Sequence, residues 1–281
     1  MESAEAFLWT ILDQPNDDGP RLVYADWLEE RGDPLAELIR LQIEIEGVGG
    51  VHQQLEARVQ ELLECHRETW FEPIQSLGLS GCFRRGLMEV SITGVSLFLD
   101  LAPALFQMPH VLAIRLSDAA VQPSTLIEFA MSPHFGRVQH LNLNRSRIGN
   151  DGVAAWVDNC PECRLISLNL GQNDISSRGI LRLVDRLRVS QLTELRLAGN
   201  GIGDAGAKAL AGTPRLSRLR TLDLSYNQLG TVGGEYLAES PFLGQLTNLN
   251  LRGNSIGNRG KRALRRRFGL RVRLAGTLEI R

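Results

Sequence analysis

The chain has 281 residues, 43% hydrophobic and 22% charged, with four cysteines and a net charge of -1. That balance excludes wholesale disorder and allows one large or two ordinary domains, each with a real core. No run of about 18 apolar residues exists to span a bilayer. The opening MESAEAF lacks the basic start and long apolar run of an export signal, so a cytoplasmic protein without disulfides or membrane contact is expected. The charge is uneven: residues 1–50 carry 12 acids against 3 bases, and residues 258–281 carry 9 bases against one acid.

Helices dominate residues 1–75. In SAEAFLWTIL, Ser3 is placed to cap a helix whose apolar stripe is Phe7, Leu8, Ile11 and Leu12. After the loop DQPNDDGP, a second helix is predicted from Pro20 to Arg31, with Asp17 or Asp18 satisfying its free amides. Gly32 supplies a left-handed stop. Asp33-Pro34 then opens a third helix with Leu35, Leu38, Ile39 and Gln42 on one side. GVGG (47–50) reads as a break, and a fourth helix is expected over about 51–69. The carboxylates Asp18, Asp26, Glu29, Glu30, Asp33 and Glu37 raise the question of an acidic active site. Their positions at caps and on diverging helix faces favour a structural role. Asp26 stands apart, between Ala25 and Trp27, where partial burial and pairing with Arg21 or Arg31 is expected.

A repeat follows. LNLNRSRIGNDGVAAW, LNLGQNDISSRGILRL, LRLAGNGIGDAGAKAL, LDLSYNQLGTVGGEYL and LNLRGNSIGNRGKRAL begin at Leu141, Leu168, Leu195, Leu222 and Leu249, each step 27 residues. A divergent copy starts at Ile114, and 90–92 and 272–274 look like shortened ends. L-x-L predicts a short strand with two inward leucines. Asn173, Asn200, Asn227 and Asn254 follow at a fixed offset, where a buried amide satisfies turn and neighbouring-coil backbone groups. Gly152, Gly179, Gly206, Gly233 and Gly260 suit a close approach between coils. Trp156, Leu183, Leu210, Leu237 and Leu264 mark the buried face of a helix. Ser146 stands where the asparagine belongs in one copy, and Ala119 in another.

These motifs resemble the leucine-rich repeats of the longer αβ type, typified by ribonuclease inhibitor and the Ran GTPase-activating protein, over roughly residues 87–275. The resemblance implies an α/β solenoid of about seven coils over residues 76–281, with parallel strands concave and helices convex. DDGPRLVYADWLEERGDPLAELIRLQ, with LEARVQELL and FRRGLMEV, resembles a companion domain found beside repeats in planctomycete and myxobacterial proteins. It implies a small all-helical domain, residues 1–75, that caps the solenoid.

No catalytic set, cofactor fingerprint or metal-ligand spacing appears. The histidines, His52, His66, His110, His134 and His140, form no known ligand pattern. The lone CPEC pair, Cys160 and Cys163, lacks the further ligands a zinc site needs. Strand alternation places His140, Asn142, Asn144, Asn169, Glu194, Arg196, Asp223, Asn250 and Arg252 on the concave face, with Arg145 and Tyr226 at its edge. The expected function is therefore non-enzymatic: a monomer binding a protein partner through that sheet or the N-terminal face. Regulation of an enzyme, by inhibition or GTPase activation, is the alternative. Nucleic-acid binding through the basic segment 258–274 ranks third, because an end coil needs a polar outer face in any case.

Overall fold

Leucine alternating with polar residues makes short strands whose leucines all turn to one side, and the 27-residue phase stacks those strands side by side. The structure, a computed structural model, describes residues 3–15, 17–48, 52–118, 121–160, 163–189 and 191–274. The chain divides into two compact units, Met1–Ile92 with Leu97–Arg115, and Thr93–Ser96 with Leu116–Arg281.

The first unit opens with helices α1 (Ala4–Asp13), α2 (Gly19–Glu29), α3 (Leu35–Val48) and α4 (Gln53–Cys65), then the short α5 (Arg67–Trp70) and α6 (Glu72–Ser76). Strands β1 (Ser80–Arg84) and β2 (Leu87–Thr93) follow, and most of α7 (Val95–Leu105) and β3 (Val111–Ser117) completes it. Asp17 Oδ1 accepts the Gly19 amide at 2.9 Å, and Asp33 Oδ1 accepts the Leu35 amide at 2.9 Å. Between those starts Gly32 stops α2 with a φ of 68°, as a left-handed terminator should. The Ser3 hydroxyl makes no capping bond. Gly47 and Val48 belong to α3, whereas Gly49 and Gly50 lie outside the described residues. The expected fourth helix is two, parted at His66.

Leu8, Ile11, Leu12, Tyr24, Leu28, Leu35, Leu38, Ile39, Val59, Leu62 and Trp70 build this unit's core, joined by Leu87 and Leu112. Each such side chain contributes about 1.5–3 kcal/mol of burial. The sequence predicts parallel strands only, yet β1 runs antiparallel to β2. Its turn places Arg85 and Gly86 at φ values of 47° and 76°. Gly86 is required there: a Cβ would stand 2.2 Å from Ile39 Cα, and its amide donates to Gln42 Oε1 at 2.6 Å.

The second unit repeats helix and strand: α8 (Pro123–Met131), β4 (Val138–Asn142), α9 (Gly149–Asn159), β5 (Ser167–Asn169), α10 (Ser177–Arg186), β6 (Glu194–Arg196), α11 (Gly203–Gly212), β7 (Thr221–Asp223), α12 (Thr231–Glu239), β8 (Asn248–Asn250), α13 (Asn258–Phe268) and β9 (Val272–Arg273). Strands β4 to β9 are parallel, with Leu141, Leu168, Leu195, Leu222 and Leu249 in register. Val272 pairs with Leu249 after only 23 residues, so the last coil is short. The inward leucines and the helix positions Trp156, Leu183, Leu210, Leu237 and Leu264 are buried.

Asparagines tie the coils together. Asn200 Oδ1 accepts the amides of Asn173 and Ile175 at 3.0 and 2.9 Å, while its Nδ2 donates to the Leu170 and Leu197 carbonyls at 2.9 Å each. Asn254 serves Asn227 and Leu229 in the same way. Asn173 Nδ2 donates to Leu143 O at 2.6 Å, and Asn227 Nδ2 to Leu197 O at 2.8 Å. Ser146, too short for this reach, sends its hydroxyl to Asp118 O at 2.6 Å.

A second link lies at the helix starts. Asn150 Oδ1, from α9, accepts the Ser176 and Gly179 amides at the start of α10 at 3.0 and 2.9 Å. Asp204 Oδ1, two coils on, accepts the Gly230 amide at 2.6 Å, and Thr231 Oγ1 accepts the Gly257 amide at 3.0 Å. The start of one helix is thus capped by a side chain of the coil before it. Gly179 and Gly233 keep that space open, since a Cβ would approach Asn150 Oδ1 to 2.5 Å and Asp204 Oδ1 to 2.3 Å.

Candidate interaction surface

The strand residues pointing away from the leucines form rows across the second unit. Register pairing aligns His140, Ser167, Glu194, Thr221 and Asn248 in one row, and Asn142, Asn169, Arg196, Asp223 and Asn250 in the next. In the second row, all four carboxamide or carboxylate groups fold back on their own strand end. Asn142 Oδ1 accepts the Asn144 amide at 3.1 Å, Asn169 Oδ1 that of Gly171 at 3.0 Å, Asp223 Oδ1 that of Ser225 at 2.9 Å, and Asn250 Oδ1 that of Arg252 at 3.3 Å. Their geometry is therefore fixed before any partner arrives.

Arg196 breaks the row and brings charge. Its Nε donates to Glu194 Oε1 at 2.7 Å, and Ser167 Oγ donates to Glu194 Oε2 at 2.8 Å. Asn250 Nδ2 reaches Asp223 Oδ2 at 3.1 Å. The charges in the middle of the face are mutually engaged. The side-chain amides of Asn142 and Asn169 have no bonded acceptor among the described residues.

At the strand ends the same position of each coil is left-handed, and two residues further on Arg147, Asp174 and Gln228 are left-handed as well. Gly199 and Gly253 occupy the first position in two coils, with φ values of 68° and 70°. Arg145, Gln172 and Tyr226 occupy it at 63°, 55° and 55°, each at a steric cost of about 1–2 kcal/mol that glycine avoids. Arg145 Nε donates to Gln172 Oε1 at 2.7 Å. The Tyr226 ring lies over Gly253, where a Cβ would stand 2.3 Å from its Cδ1, and Tyr226 is 67% exposed. Arg252 is exposed beside it. Sequence reasoning named Arg145 and Tyr226 but passed over Gln172, which stands one 27-residue step after Arg145.

The acidic stretch of the first unit does not converge. Arg40 Nη2 bridges Asp26 and Glu29 at 2.7 and 2.8 Å. Arg58 holds Glu37 and Glu61 at 2.7 and 2.8 Å, and Arg85 holds Glu46 and Asp18 at 2.6 and 3.2 Å. Asp26 is exposed and pairs with Arg40, not with Arg21 or Arg31, because its helix face turns toward α3. Arg21 is instead buried and donates to the Pro15 and Asp17 carbonyls. Phe7, Tyr24 and Trp27 cluster at 5.5 to 5.9 Å, Tyr24 stacking on the other two, with the Arg31 guanidinium 3.8 Å from the Trp27 ring centre.

Other candidate chemistry is quiet. The Cys160 thiol is held above its usual range by its hydrogen bond with Cys163 and by burial, the opposite of an activated thiolate. His110 is buried against Trp70 O at 3.1 Å. Among the described residues no group of His, Cys, Asp and Glu is placed to hold a metal ion, and no helix is long and apolar enough to cross a membrane. An open groove between α9 and α10 is lined by Arg178 and Arg182, which already meet Asp151 and Asp158 at 3.5 and 2.6 Å.

Residues 191–211 and 217–238 match the family model described as Leucine Rich repeat. No curated protein matches the chain. Among solved structures, an internalin from Listeria monocytogenes is 20% identical over 66% of this chain and 70% of its own, with a TM-score of 0.21. The two do not superpose as wholes at that score, so no residue role is carried across. The matched repeats are in phase with the other coils of the second unit, which is a leucine-rich-repeat solenoid.

Proposed function

We propose that the protein is a non-enzymatic, cytoplasmic interaction module that binds a protein partner through the open face of its repeat sheet. The observation that carries this reading is the preset row on that face. Asn142, Asn169, Asp223 and Asn250 are locked to their strand ends, and Tyr226 is spread beside them. Such a surface loses little side-chain entropy on binding, and an exposed aromatic beside arginine is the usual composition of an interface anchor. His140, Asn144, Arg145, Glu194, Arg196 and Arg252 complete the contact set in this reading. The repeats are assigned to the ribonuclease-inhibitor-like type over residues 76–281. Residues 1–75 are assigned to the companion-domain type, and the chain to a monomer.

Affinity capture from native cells tests the reading. Wild-type protein should retain one partner that Arg196→Glu with Tyr226→Ala releases. Equal capture by both, or turnover of a substrate abolished by a single substitution, would refute it.

A further inference from the structure

The last coil of the described residues is uniform in charge. Residues 258–274 contain Arg259, Lys261, Arg262, Arg265, Arg266, Arg267, Arg271 and Arg273, and no acid. An end coil needs a polar outer face, but glutamate or glutamine would serve as well as arginine, so capping explains the polarity and not the sign. The helix dipole favours Arg265, Arg266 and Arg267 in the last turn of α13. It opposes Arg259 and Lys261 in the first turn, where no acid is present.

Internal pairing removes little of this charge. Arg259 meets Glu235 of α12 at 2.5 Å. Arg267 and Arg271 donate only to carbonyls, those of Ser240 and of Phe268 and Leu246. Lys261, Arg262, Arg265, Arg266 and Arg273 have no ion pair among the described residues. Gly260, Leu264 and Phe268 are buried, which turns Arg262 and Arg266 to the opposite, solvent side of the helix. Arg262 repels Arg265 and Arg266 at spacings of three and four, a destabilisation that an external polyanion would reverse.

We infer that this face of α13 binds the phosphate backbone of duplex nucleic acid without reading sequence. A protein partner would need an apolar or aromatic anchor at the centre of the patch, and only Leu270 is exposed there among large hydrophobic residues. A bilayer would need an exposed apolar helix face to insert, whereas that of α13 is buried in its own coil. Phosphate needs only cations, and arginine's fork fits it in two-point contacts. The 11 residues of α13 span about 16 Å. Duplex carries on the order of nine charges over that length, of which about four face one side.

Fluorescence anisotropy with a labelled duplex of about 20 base pairs tests the inference. Binding should fall with a log-log salt slope near -4, about a two-hundred-fold loss between roughly 50 and 200 mM salt. Arg262→Gln/Arg265→Gln/Arg266→Gln should weaken binding at least about tenfold and bring the slope to near -1, since each lost contact removes about 0.9. The matching triple lysine variant should keep the slope. Circular dichroism should show all three proteins equally folded. Absence of binding at about 50 mM salt, or equal binding by the glutamine variant, would overturn the inference. Tighter, glutamine-sensitive binding to phosphatidylserine vesicles than to duplex would also overturn it.

Discussion

Asn200 shows how one residue type sets the repeat. Its side chain serves two buried amides and two buried carbonyls at once. Asn200→Ala should therefore destabilise the second unit by roughly 3 kcal/mol or more, since each orphaned buried group costs about 1–3 kcal/mol. Urea unfolding followed by far-ultraviolet circular dichroism measures this, and a loss under about 1 kcal/mol would show that water replaces the amide. The glycines divide by what they face. Gly233→Ala puts a Cβ 2.3 Å from Asp204 Oδ1, so overpacking of about 1–3 kcal/mol is expected. Gly212→Ala meets nothing within 4 Å and lies at the end of α11, so the same melts should show it neutral or stabilising. The asparagine and glycine rows are legible in sequence because they recur at 27. The capping row of Asn150, Asp204 and Thr231 has the same phase but changes residue type from coil to coil. What is constant there is an accepting oxygen, which a search for repeated letters does not reveal.

The helices of the first unit follow from caps, prolines and apolar spacing, but which acid meets which arginine mostly does not, because all those pairs but Arg58–Glu61 join separate elements. Arg40→Gln releases two exposed carboxylates, Asp26 and Glu29, and should change stability by less than about 1 kcal/mol, as exposed pairs do. The β1–β2 hairpin is hidden for another reason. SGCFR has little apolar alternation, and its position depends on Gly86 touching Ile39, forty-seven residues earlier. Between β2 and β3, His110 offers a pH probe. Burial pushes its pKa below the ordinary 6.5, against smaller raising effects from the Trp70 carbonyl and Asp33. Above about 6.5 the ring is neutral folded or unfolded, and stability is complete. As pH falls below that value the unfolded chain takes a proton that the folded one resists, so stability declines until the folded pKa is reached. His110→Gln should remove that part of the decline between about pH 7.5 and 5.5, as read from urea midpoints; an unchanged difference would mean that His110 is solvated when folded.

For the molecule as a whole, a repeat supplies surface, and surface is where single-sequence reasoning ends. Periodicity says which residues face outward, because alternation is fixed by strand geometry. It does not say that Glu194 and Arg196 neutralise each other, or that Tyr226 accepts a left-handed backbone to lie over Gly253. Those particulars give this sheet face its own chemistry. The central claim, that a protein partner occupies this face, is tested most directly by hydrogen exchange on the captured complex. The account predicts slowed exchange of the strand-end amides at Asn144, Gly171, Ser225, Tyr226 and Arg252, with the exposed face of α9 to α12 unchanged. Protection confined to the helices, or to residues 1–75, would contradict it.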